Sequence, residues 1–177
     1  MNRIALVSLA ALFACATAPA PVAQRDVSTV RVQGVGVFQV RRDDQSTAKI
    51  VAFPIEQVWR ALPAVFDSLD VPVGRVDPVS HVFGNDGVRV RKRIGGAAIS
   101  RYFDCGTTQV GPNADSYDVF LVLLTTLATG PANTTTVTIT TEASARPVAR
   151  SQPYVPCSSR ATLDVRLVEL LKKEAMR

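Results

Sequence analysis

The chain of 177 residues holds a single histidine, His81, and no Cys-x-x-Cys pair among its three cysteines. Structural zinc sites draw their ligands from such residues, so a metal-centred function has little to build on and no metal is expected. Acyl-transfer chemistry is equally short of parts: no Gly-x-Ser-x-Gly places a serine on a strand-to-helix elbow. His81, between Ser80 and Val82, reads as a solvated or hydrogen-bonded residue rather than a general base. Gly34-Val35-Gly36 lacks the third glycine and the following helix of a dinucleotide site and reads as a flexible strand or bulge. With no phosphate-binding loop either, no cofactor is expected, no catalytic residue is assigned, and the chain does not read as an enzyme.

Strong charge is also missing. Twenty basic residues against fifteen acidic ones give a net charge of +5, a mild excess far from the clustered basic signature of nucleic-acid binders. It is compatible with weak attraction to anionic headgroups or wall polymers. The apolar run Ile4–Ala14, eleven residues behind Arg3, is too short to span a bilayer and has the length of an export signal. Two small-residue cleavage sites, Ala16-Thr17-Ala18 and Ala18-Pro19-Ala20, are each followed by a proline, which disfavours cutting there. Leu12-Phe13-Ala14-Cys15 instead resembles a bacterial lipobox, in which Cys15 is lipidated and becomes the first mature residue; a plain secretory signal is the other reading. Residues 1–14 are then the signal, 15–28 an alanine- and proline-rich lipidated tether, and 29–177 a single α+β domain.

Lipidation of Cys15 resolves the odd cysteine count. It leaves Cys105 and Cys157 free to pair in an oxidising compartment, closing a loop that the chain-entropy treatment values at about 4 kcal/mol.

What the sequence does have is periodicity. In Pro54–Asp70, residues Ile55, Val58, Trp59, Leu62, Val65, Phe66 and Leu69 recur at three- and four-residue steps, one stripe of an amphipathic helix, with Pro63 expected to bend it. Trp59, the only tryptophan, reads as core, and together with Phe66 as the plug beneath this helix. Thr47–Phe53 reads as a strand leading into the helix, with Arg41–Gln45 as the turn before it, and Val30–Val40 as a poorly alternating stretch. Short extended pieces follow at 74–77, 81–84 and 87–94, with Asn85-Asp86-Gly87 as a tight hairpin turn. Ile99–Asp104 reads as another strand. Tyr117–Leu127 is apolar on both alternating faces, which marks a central strand, and Thr134–Ala143 alternates as its half-exposed neighbour. Ser158 or Ser159 can cap a last helix whose Leu163, Leu167, Leu170 and Leu171 share a face.

Arg89, Arg91 and Arg93 fall on one face of the 87–94 strand, and Arg101 extends the row. Such a row is ordinarily a solvated edge that discourages strand addition. The sharper reading is a patch for an anionic partner. Asp104, Asp115 and Asp118 read as structural turn residues.

Asp104-Cys105-Gly106, a strand after it, and Cys157-Ser158 opening the final helix resemble uncharacterised bacterial lipoproteins. In element order, from about residue 47 to 172 and with Val58-Trp59 at the helix start, the chain also loosely resembles the helix-grip domains of the BamC family, accessory lipoproteins of outer-membrane β-barrel assembly. BamC has two such domains, whereas this chain has room for one. The resemblance implies an antiparallel sheet gripped by the amphipathic helix and the C-terminal helix. By likeness to bacterial lipoproteins, Ala16 after Cys15 implies an outer-membrane lipoprotein of the cell envelope, facing the periplasm. The function expected is a non-enzymatic, membrane-anchored module that contacts an envelope protein or surface. The alternative is a carrier holding a lipid or small molecule in an apolar cavity under the helix.

Overall fold

A computed structural model describes residues 27–32, 36–41, 46–149 and 152–177, the first two stretches through their backbone pairing. Cys15, the export segment 1–14 and most of the tether lie outside the described residues. In chain order the main elements are β1 (Val27–Val32), β2 (Gly36–Arg41), β3 (Ser46–Val51), α1 (Ile55–Ser68), β4 (Arg75–Asp77), β5 (Val82–Val90), β6 (Asp118–Thr129), β7 (Thr135–Arg146), β8 (Val155–Pro156) and α2 (Thr162–Ala175). The architecture is α+β, as expected, with antiparallel strands and two long helices.

β1 and β2 pair with each other in the register Val32↔Gly36 to Val27↔Arg41. The stretch read as one irregular segment is therefore two strands, and the first begins at Val27, inside the stretch assigned to the tether. The main sheet runs β4-β5-β6-β7, and the far edge of β7 is shared by β3 and β8. β6 is central and its inward side chains Val119, Leu121, Leu123 and Leu127 are buried, while Phe120, Val122 and Leu124 on the opposite face are half-buried. β7 alternates buried and half-buried residues along its whole length, as its sequence pattern predicts.

Helix α1 owes its position to the apolar stripe: Val58, Leu62, Val65 and Phe66 are fully buried against the sheet. Pro54 stands at the N-terminus in extended conformation, its carbonyl accepting from Gln57 and Val58 N–H. Pro63 lies inside, where it can donate no bond to the Trp59 carbonyl, yet the helix continues through it to Ser68. Its exit is a Schellman turn, with Asp70 N–H bonded to the Asp67 carbonyl and Val71 N–H to the Phe66 carbonyl, and Asp70 left-handed at φ 54°. Helix α2 lies beside α1 and buries Leu163, Leu167, Leu170 and Leu171, the face read from sequence. Gln57 on α1 donates to the Ala175 carbonyl at the end of α2.

Four local expectations are overturned. Asn85-Asp86-Gly87 is not a hairpin turn but a bulge inside β5, where the register to β6 shifts between Leu121 and Leu123. Asn85 makes the bulge by donating to the Pro72 carbonyl and accepting from Gly87 N–H, and a Cβ on Gly87 would lie 2.3 Å from the Phe120 ring. Ile99–Asp104 is not a strand: Ile99–Arg101 form a 3₁₀ turn, and only Phe103–Asp104 pair, with Ser158–Ser159. Neither Ser158 nor Ser159 caps α2. Ala161 occupies that position in left-handed conformation, and its N–H is taken by the Ser159 hydroxyl. Trp59 sits at the margin of the core rather than under the helix; its ring meets His81 and Phe83 edge-on, each at 5.7 Å, and Phe66 alone fills the plug position.

Cys105 and Cys157 form a disulfide, as cysteine count suggested. No helix among the described residues is long and apolar enough to cross a membrane.

Candidate functional site

The arginine row does not survive folding as a row. β5 ends at Val90, and Lys92 takes a left-handed backbone conformation at φ 65°, so the alternation that would align Arg93 with Arg89 and Arg91 is broken there. Arg89, opposite Phe120 in the register, lies on the face of the sheet away from the helices. Arg91 Nε is 3.1 Å from Asp118, whose carboxylate is mostly buried, and this pair holds the end of β5 against the start of β6. Arg93 is carried into a tight hairpin in which Arg93-Ile94 pair with Ala97-Ala98. Gly95 and Gly96 form its turn with φ 54° and 76°, a combination nearly closed to residues with a Cβ. Buried Ile94 and the bond from Gly95 N–H to the Leu69 carbonyl anchor the hairpin to the end of α1.

This reversal brings Arg93 and Arg101 to one side of a surface depression of about 860 Å³, whose other side is the first half of α2. Arg166 stands on that second wall. Ala97, Ala98 and the half-exposed Val165 belong to the same lining, so apolar and cationic groups stand side by side there. Glu169 is the one carboxylate in the lining; its 3.8 Å approach to Arg166 joins two side chains that are 49% and 63% exposed, a pairing worth little in water. Arg93 donates from Nη1 to the Gly96 carbonyl, which fixes the guanidinium across its own turn.

The two sides are joined by a seam of bonds between residues 101–105 and 157–162. Thr162, the first residue of α2, donates its hydroxyl to the Arg101 carbonyl at 2.7 Å, and Arg160 N–H donates to the Tyr102 carbonyl at 2.8 Å. Phe103–Asp104 pair with Ser158–Ser159, Arg160 reaches Asp104 at 3.2 Å, and the Cys105–Cys157 disulfide closes the end.

The three aspartates do not meet. Asp104 faces Arg160, Asp115 accepts from the backbone and hydroxyl of Ser100, and Asp118 faces Arg91. Each serves a turn or a strand end, the structural reading of the sequence. His81 lies in the turn before β5, not on a strand, with its ring against Trp59.

Of the four arginines singled out in the sequence, two reach the depression and two do not. Arg166 was not foreseen. It stands on the polar side of α2, opposite the leucine face, and nothing local distinguishes it from any other solvated helix arginine until the hairpin is folded against it.

No protein-family model matches the chain, and no curated protein matches it.

Proposed function

We propose that this chain is a non-enzymatic module of the cell envelope, lipid-anchored through Cys15 to the outer membrane and facing the periplasm, that binds another envelope component in the arginine-rimmed depression. The observation that carries this reading is the gathering of Arg93, Arg101 and Arg166 around one concave, partly apolar surface with a single opposing carboxylate. Permanently charged guanidinium groups recognise anions and do not shuttle protons, which favours binding over catalysis.

Packing favours the module over a carrier. Under α1, where a carried lipid would sit, Val58, Leu62, Val65 and Phe66 belong to one core with Leu121, Leu123 and Ile139, all with no exposed surface. Side chains take up the space a ligand would need.

The test is photo-crosslinking in intact cells from a reactive side chain at Val165, with Val110, 89% exposed and remote in sequence, as the control position. Envelope-protein adducts from position 165 and not 110 are expected; equal labelling from both positions would remove the depression from consideration. Lipid attachment should vanish in Cys15→Ser, and persistence of glycerol-linked lipid on that variant would sink the anchor. Native mass spectrometry should find no co-purified lipid held without a covalent bond.

A further inference from the structure

Resting on the reading of the depression as a binding site, we infer that its occupant is an acidic segment of a protein chain, with two carboxylates flanking an aliphatic side chain. The rim supplies the first part of the argument. A guanidinium offers parallel N–H donors that match a carboxylate two at a time, and Arg93 and Arg101 stand on the opposite wall from Arg166, so one anion on each side is the complementary arrangement. The apolar part of the lining supplies the second. Val165 is 51% exposed on the first half of α2, beside Ala97 and Ala98, and an aliphatic group seated there between the arginines covers it. The segment that follows the hairpin and the start of α2 are tied by the Thr162 bond to the Arg101 carbonyl and by the disulfide.

The experiment is an amide NMR titration of the purified protein with an N-acetylated, C-amidated Glu-Leu-Glu tripeptide. The same-shaped Gln-Leu-Gln tripeptide and vesicles containing phosphatidylglycerol are run in parallel. Glu-Leu-Glu should shift Gly95, Gly96, Ala98 and Val165, weaken as salt rises, and lose about tenfold in affinity in Arg101→Ala and again in Arg166→Ala, each removing one charge-assisted pair. Both side chains are exposed, and the bonds of the seam run through the Arg101 carbonyl, so these variants keep the fold. Gln-Leu-Gln should leave the same amides unmoved. Equal binding of both tripeptides overturns the proposal, as do shifts confined to other surfaces. Binding of vesicles without the peptide overturns it in favour of a lipid surface. If the peptide fails while position 165 still crosslinks to an envelope protein, the binding site stands and the acidic class alone is wrong; if both fail, the reading of the depression falls with it.

Discussion

Asp70 shows how one side chain reports the geometry forced on it. It occupies the left-handed position that closes α1, with φ 54°, where a residue with a Cβ is strained and glycine is not. Asp70→Gly should stabilise the protein by up to about 1 kcal/mol in urea denaturation, because the Schellman bonds stay in place and the strain is removed. Asp164 is the opposite case, a buried carboxylate three residues into α2, accepting from the hydroxyls of Thr47 at 2.9 Å and Thr141 at 2.7 Å. It ties β3 and β7 to the helix. Asp164→Ala leaves the buried Thr141 hydroxyl without its acceptor and should cost about 2 kcal/mol by the same measurement. Asp77, the last residue of β4, has its carboxyl held below the ordinary value, chiefly by the Ser80 backbone N–H and the Ser80 hydroxyl, with Val79 N–H and Arg75 adding to it. A lowered folded pKa means that its contribution is present above the unfolded value and is lost as pH falls through the folded one. Carboxyl NMR should place the Asp77 midpoint below that of the same group in the unfolded chain, and Asp77→Asn should flatten that part of the acid limb.

Elements divide sharply in how far their sequence announces them. α1, α2, β6 and β7 were legible because burial repeats at the period of the element itself, and a stripe such as Val58, Leu62, Val65 and Phe66 has no competing interpretation. The segment 74–104 was not legible in the same way. Asn85-Asp86-Gly87 has the residues of a turn, and in isolation those residues turn; the long pairing with β6 overrode them, and the local preference survives only as a bulge. The reverse happened at Ile99–Asp104, where alternating residues looked like a strand but Ile99 and Phe103 are buried from a 3₁₀ turn and a two-residue ladder. The candidate site failed to appear for a related reason. Arg89, Arg91 and Arg93 alternate on paper, but the left-handed Lys92 redirects the chain after Arg91, and Arg166 enters only through tertiary contact. Cysteine arithmetic, by contrast, depends on no local geometry and named the disulfide. The bridge spans 52 residues, so a Cys105→Ser/Cys157→Ser variant should lose about 2–4 kcal/mol in chemical denaturation under oxidising conditions.

At the scale of the whole molecule, the two long helices cover one face of the sheet, and the irregular segments from both halves of the chain gather beside the start of α2. Residues 101–104 and 157–162 are joined there by the ladder, the Arg101 and Tyr102 carbonyls, the Arg160–Asp104 pair and the disulfide. The long ladders of β6 with β5 and β7 lie outside that seam, which meets β7 only along its far edge, where Cys157 N–H donates to the Ala143 carbonyl and β8 pairs with Ser144 and Ala145. Loosening should therefore be local before it is global. In hydrogen-exchange measurements on the Cys105→Ser/Cys157→Ser variant, amides in 93–104 and 155–166 should exchange faster than in the parent protein, while those of β6 and β7 change by no more than the loss in global stability requires. A uniform acceleration across β6, β7 and the seam would mean that the bridge acts only on the unfolded chain. Local acceleration would mean that it also holds the seam together in the folded protein.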